Sequence, residues 1–202
     1  PVRLDPNSSW ALTTAVRVAH ELSDVGLEYL EDPVWGLSAM AKLKRMSPHV
    51  PLASNMACFS YDDIAPTAFL DAVDVVLADP HWYGGLRATK ELARLCETFG
   101  FDMGMHSGTE FGVSLAAVLH LAASLPAIHH APDVHYHYLK DDIIEGGPFR
   151  YVDGAISVPK GPGLGVKLDR QKLAYYHEFY EKYIAAIAAA PSMEPIYTKA
   201  RW

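Results

Sequence analysis

The chain has 202 residues, half of them hydrophobic and a fifth charged, with a formal net charge of −7. That balance excludes a disordered or fibrous protein and allows a sizeable buried core. The acidic charge, without any basic stripe, argues against nucleic acid as a partner. No membrane span is expected either, since the most apolar stretch, Ala116 to Ile128, is too short to cross a bilayer and holds His120.

Cys58 and Cys96 are the two cysteines, in a length that needs no covalent staples, so both read as core-packing thiols in a reducing cytoplasm. No signal peptide is legible at the amino end, and a cytoplasmic protein is the expectation.

In chain order, Val2-Arg3-Leu4 ends at Asp5-Pro6-Asn7, and residues 9–23 place Leu12, Val16, Ala19 and Leu22 at helical spacing. Gly26 stops that helix. Leu27 to Leu30 predicts the next strand, and Glu31-Asp32-Pro33 the turn that ends it, because proline has no N–H for a continuing ladder. A short helix over Leu37 to Met46 precedes Pro48, Pro51 to Ser54 leads to Asn55, and Tyr61 to Leu70 predicts a further helix. Val73 to Ala78 is apolar except for Asp74, as suits a strand covered on both faces, and it delivers Asp79-Pro80-His81-Trp82. Gly84-Gly85 opens a helix over Leu86 to Phe99, Phe101 to Met105 carries His106 at its end, and a helix follows over Gly112 to Leu125. Ala127 to Ala131 predicts a last, less regular strand whose end presents Asp133 and His135. After it, Phe149 to Val158 alternates around Asp153-Gly154, a hairpin signal. Pro159 to Gly165 predicts a loop, and Asp169 caps a helix running to Ala190.

The residues that close the six runs, Asp5, Glu31, Asn55, Asp79, His106 and His135, are separated by 26, 24, 24, 27 and 29 residues. One strand, turn, helix and return loop take roughly 25 residues, so the rhythm reads as successive βα units of a barrel whose strand ends face one mouth. The expected fold is α/β, a TIM-like barrel. Residues 1–138 form a partial barrel of roughly six units that carries the site. Residues 139–202 form a hairpin, a Gly/Pro loop and a helix that pack back on the barrel or on another domain. A complete barrel takes about 250 residues, and the first strand has no lead-in, so the chain is expected to start part-way round.

Asp5, Glu31 and Asn55 supply two carboxylates and an amide oxygen, hard ligands that suit Mg²⁺ or Mn²⁺ better than zinc. Asp79 and His106 close neighbouring strands, so the carboxylate can hold the imidazole in one tautomer and make it a general base. Taken singly, each has a plainer explanation: Asp5 and Asn55 as helix caps, Glu31 as a solvated turn residue, Asp79 or His106 as capping or core groups. Their shared phase favours a site. His20, His49, His120 and His177 fall outside the rhythm and read as structural or surface groups, whereas His81, His129, His130 and His137 lie near the mouth and stay open.

Asp5-Pro6-Asn7, Glu31-Asp32-Pro33, Ser54-Asn55-Met56, Leu77 to Trp82, Met105-His106-Ser107, Asp133-Val134-His135 and the Gly161-Pro162-Gly163-Leu164-Gly165 loop together resemble the ordered motifs of glucarate dehydratases. These belong to the mandelate racemase subgroup of the enolase superfamily. The resemblance implies a modified (β/α)₇β barrel, Mg²⁺ held by Asp5, Glu31 and Asn55, and a His106–Asp79 dyad. It also implies that Asn7, Ser107 and His135 touch substrate, a sugar diacid that loses its α-proton and then its β-hydroxyl to give a keto-deoxy acid. The expected partners are that small molecule and further copies of the chain in a homo-oligomer. The sequence departs from the family at Gly108 and Glu110, where a polar residue and a histidine are usual. The family's lysine pair on an earlier strand and its amino-terminal capping domain have no counterpart here and would precede Pro1.

Three other readings compete. One is dehydration or epimerisation of a different acid sugar, suggested by Gly108 and Glu110. Another is a catalytically incomplete barrel fragment, suggested by the missing lysine strand. The last is a zinc-dependent hydrolase built on His81, His106 and His135, against which stands the shortage of paired histidines on one strand.

Overall fold

A computed structural model of the chain describes residues 1–126 and 128–189. Five parallel strands lie in sequence order in one sheet: β1 (Val2–Leu4), β2 (Leu27–Glu31), β3 (Leu52–Ser54), β4 (Val75–Ala78) and β5 (Asp102–Met105). Each strand returns to the next through a helix, in order α1 (Leu12–Glu21), α2 (Leu37–Met46), α3 (Tyr61–Leu70) and α4 (Leu86–Phe99), and α5 (Gly112–Ala123) follows β5. This is a parallel α/β half-barrel, and the expected bounds of α2, α3 and α4 match the observed ones.

The strands show why. Parallel strands covered on both faces are short and apolar, and their alternate residues serve different compartments. Leu30, Leu52, Val76, Ala78, Met103 and Met105 pack outwards against the helices, together with Ala15, Ala19, Met40, Leu43, Leu92 and Cys96. Tyr29, Ala53, Val75 and Leu77 form a separate cluster on the inner face. Two residues beyond them in the same phase stand Glu31, Asn55 and Asp79. Gly104 is the inner residue of β5, and a Cβ there would meet Leu77 Cδ2 at 2.6 Å and His130 Cβ at 3.4 Å.

Two expected elements are reduced to single bridges. The last strand is reduced to one parallel bridge, Met103 to Ile128, with Ala127 outside the described residues. Pro126 and Pro132 flank it and donate no ladder hydrogen bond, yet Asp133 N–H still reaches Met105 O at 2.8 Å, so the chain does run up beside β5. His135 then precedes a short 3₁₀ turn (Tyr136–Tyr138) rather than closing a strand. The hairpin at Asp153-Gly154 is a single antiparallel bridge between Val152 and Ala155, with φ of 50° and 78° at the two turn residues. Its flanks are exposed, and two strands with no face to bury do not extend. Helix α6 (Arg170–Ala189) begins as expected, with Asp169 Oδ1 accepting from Gln171 and Lys172 N–H at 3.0 Å each. Residue 190, its expected end, lies outside the described residues.

Residues 142–176 reach back to α5 and the residue before it, through Asp142, Leu164 and Tyr176. Ile144 is buried and bridges Leu168, His120 Nε2 lies 3.1 Å from Leu164 O, and Phe111 packs on Tyr176.

Candidate active site

Three consecutive strand ends build an acidic pocket. Glu31 is 3% exposed and Asn55 5%, and Asn55 Nδ2 donates to Glu31 Oε1 at 3.0 Å, which leaves the amide oxygen as the ligating atom. Burial, then the charges of Asp5, Asp32 and Asp133, pushes the Glu31 carboxyl up to about 9. Asp5 is exposed at the rim, and partial desolvation raises it, against the opposing hydrogen bond from Asn7 N–H, with the charges of Asp32 and Asp133 adding to the rise.

The plainer readings of these residues do not hold. Asp5 caps no helix; its oxygens accept from Asn7 N–H at 2.7 Å and from Asn7 Nδ2 at 2.8 Å. Helix α3 is capped by a reciprocal Ser60–Asp63 box rather than by Asn55, and Glu31 is buried rather than solvated.

Asp32, read from sequence only as a turn residue, positions this group. It is buried, and its carboxylate accepts from Ser54 Oγ at 2.5 Å and from the N–H of Asn55 at 2.8 Å and of Met56 at 3.0 Å. It thereby clamps the β3 turn to the end of β2. Its place one residue after an inward-facing Glu was the available signal, since that register points it at the neighbouring turn.

The next two strand ends carry the other pair. His106 Nδ1 lies 2.9 Å from Asp79 Oδ2. Burial raises Asp79, but hydrogen bonds from His106 and from His81 outweigh it and hold the carboxyl below its ordinary value. An ionised carboxylate accepts only, so His106 carries its proton on Nδ1 and leaves Nε2 free. The main chain at this strand end is held as well, because His106 N–H bonds to Ala78 O at 3.0 Å. Trp82, not anticipated, stacks on the ring at 4.9 Å and 24°.

The predicted substrate contacts are less uniform. Asn7 has φ 51° and its side chain is engaged with Asp5. Ser107 is fully buried with its hydroxyl donating to Gly108 O at 3.0 Å. His135 is half-exposed, 3.9 Å from Asp133 and stacked on Tyr138. The three-histidine arrangement of the hydrolase reading is not formed among the described residues: His81 and His106 both turn Nδ1 to Asp79, and the His/Cys/Asp/Glu group whose ligand atoms approach within 4.8 Å is Asp79, His81 and Glu110.

A half-barrel with carboxylates, an amide and a His–Asp pair on successive strand ends defines a class, and comparison with known proteins agrees. The chain belongs to the enolase C-terminal domain-like family, whose model matches residues 1–172. It is 47% identical over 177 residues to a probable glucarate dehydratase of Streptomyces coelicolor, covering 88% of the chain and 40% of that protein. It is 30% identical over 170 residues to muconate cycloisomerase 1 of Rhodococcus opacus, covering 83% and 45%. Among solved structures, an enolase of Pseudomonas fluorescens with bound magnesium, potassium and tartrate superposes with a TM-score of 0.87 at 40% identity, covering 91% of the chain and 43% of the other. One from Mycobacterium smegmatis in complex with tartrate gives 0.86 at 43% identity, with 91% and 43% covered. The chain thus spans about half the length of the relatives it matches. No described helix is long and apolar enough to cross a membrane.

Proposed function

We propose that this chain carries the acid–base and metal-binding half of a Mg²⁺-dependent acid-sugar dehydratase of the glucarate type. The observation that carries the reading is the 2.9 Å contact between His106 Nδ1 and Asp79 Oδ2, one strand end removed from the acidic pocket. Likeness to a probable glucarate dehydratase supports the substrate class.

The pocket fits a hard divalent cation. The proton affinity of Glu31 is raised first by its burial and then by three further carboxylates, an arrangement that a bound cation relieves. Asp5, Glu31 and the Asn55 amide oxygen would hold Mg²⁺ or Mn²⁺. The ion supplies positive charge to the substrate carboxylate whose α-carbon loses a proton.

His106 Nε2 takes that weakly acidic α-proton, and Asp79 stabilises the imidazolium so formed. Departure of the β-hydroxyl with the proton now on His106, as water, leaves an enol that tautomerises to the keto-deoxy acid. Trp82 keeps the imidazole plane oriented, and Asn7 and His135 stand beside the mouth as substrate contacts. His106→Asn in the full chain should cut keto-acid formation from glucarate at least ~100-fold while calorimetric Mg²⁺ affinity is unchanged. Undiminished turnover sinks the assignment.

A second reading has its own observation: Glu110 holds a carboxylate beside Asp79 and His81, accepting from Gly108 N–H at 2.8 Å. That charge disfavours a second carboxylate on the ligand and favours another acid sugar, or its epimerisation. Turnover across a panel of aldaric and aldonic acids separates the two.

A further inference from the structure

Asp79 serves two histidines, and only one of them belongs to the dyad described above. His81 follows Asp79 by two residues, and the turn folds it back on the same carboxylate: its backbone N–H reaches Asp79 Oδ1 at 2.8 Å and its ring Nδ1 reaches the same oxygen at 2.6 Å. Asp79 Oδ2 is left to His106. On the far side of the His81 ring, Nε2 lies 2.8 Å from Ser114 Oγ, in the first turn of α5.

The proton positions follow from the acceptors. Asp79 is ionised and accepts only, so His81 donates from Nδ1; in the neutral ring Nε2 is then an acceptor, to which the Ser114 hydroxyl donates. The result is a directed chain from Ser114 O–H through His81 to Asp79 Oδ1, with Asp79 Oδ2 facing His106. A carboxylate bonded through one oxygen swings about its terminal torsion, which is a broad and soft one. Two donors on Oδ1 stop that swing and keep Oδ2 on the line to His106 Nδ1.

We propose that His81 and Ser114 are positioning residues for the His106–Asp79 pair, locking the carboxylate so that His106 stays in the Nδ1–H tautomer with Nε2 open to substrate. The proposal rests on His106 being the base, but its structural half does not need turnover to be tested. Neither residue touches the reacting atoms: both act through Asp79. Charge-assisted hydrogen bonds of this kind hold orientation more firmly than neutral ones, and loss of a general base's alignment lowers rate rather than substrate affinity.

The experiment uses the full chain and two readouts. Imidazole ¹H–¹⁵N correlation spectra report the tautomer of His106, and steady-state kinetics on the best acid-sugar substrate report kcat and KM separately. His81→Leu removes the ring donor and the relay and leaves only the backbone N–H on Oδ1: the Nε2–H tautomer of His106 should appear, and kcat should fall about tenfold with KM within about twofold. His81→Asn, whose side-chain N–H can stand where Nδ1–H stood, should restore the His106 tautomer and most of kcat. Ser114→Ala, a partly exposed site that tolerates truncation, should redistribute the His81 tautomer and lower kcat by less than His81→Leu does. If His106 keeps its tautomer in His81→Leu, or if KM rises while kcat holds, the positioning role is overturned, the second result marking His81 as a substrate contact instead. Absence of turnover by the unaltered protein would count against the dehydratase reading alone, since the tautomer spectra still decide the relay.

Discussion

Between Val2 and Arg3 the pairing of β1 with β2 slips by one residue, so that Val2 faces Leu27 and Arg3 faces Tyr29, leaving Glu28 over. Such a bulge re-aims the extra side chain. Glu28 accepts from Arg3 Nε at 2.7 Å and Nη2 at 3.2 Å, and His130 Nδ1 lies 2.7 Å away, while Arg3 also covers the Tyr29 ring at 4.8 Å. The Arg3 hydrogen bond, with help from His130, holds the Glu28 carboxyl down at about 2 against its ordinary 4.5. A depressed folded-state value stabilises the fold above the unfolded value and loses that contribution as pH falls through the folded one. The thermal midpoint of Glu28→Gln should therefore lie below that of the native chain at pH 6, and the gap should shrink from pH 4.5 towards pH 2. A gap independent of pH would show that packing rather than charge sets it.

At the scale of the element, α5 depends on a residue thirty positions away. Its N-cap, Phe111, offers no side-chain acceptor. Buried Asp142 serves instead, accepting from Gly112 N–H at 3.0 and 2.9 Å through its two oxygens, and it also takes the Tyr136 hydroxyl proton in a short hydrogen bond. Gly112 is needed for that approach, since a Cβ there would meet Asp142 Oδ2 at 2.6 Å and Ile144 Cδ1 at 2.7 Å. An unpartnered buried donor costs about 1–3 kcal/mol. Asp142→Ala strands two of them, so denaturant unfolding should show a loss of at least about 2 kcal/mol. Because α5 also carries Ser114, the same variant should loosen the far end of the His81 relay.

For the whole molecule, the acidic pocket gathers Asp5, Glu31 and Asn55 from the ends of β1, β2 and β3, two carboxyls that repel when both are ionised and an amide that donates to Glu31. A cation held by Asp5, Glu31 and Asn55, as proposed, would convert that repulsion into a clamp across three strand ends, since a ligand present at 100 times its Kd adds about 2.7 kcal/mol to stability. Saturating Mg²⁺ should raise the thermal midpoint of the native chain, measured by differential scanning calorimetry, and should do little for Glu31→Gln. An equal rise in both would move the ion elsewhere. The placement of the candidate residues was legible because Asp5, Glu31, Asn55, Asp79 and His106 share one phase of a repeating unit. The blander alternatives for single residues fell only when the inner face of the sheet placed them together. Ser107 and His135 were less well served, since one turned into the core and the other followed a strand that Pro126 and Pro132 reduce to a bridge.

The amino-acid order by itself determined the succession of parallel strands and helices and the residues that close each strand. Period-two and helical patterns, with Gly and Pro stops, are local properties of the chain. Only the tertiary structure decided that Glu28 turns inward beside Arg3 and His130, that Asp32 clamps the turn bearing Asn55, and that His81, Ser114 and Trp82 gather around Asp79 and His106. Those contacts depend on a slipped register, a buried carboxylate's choice among donors and the seating of one helix on another, quantities that distances in space set and spacing along the chain does not.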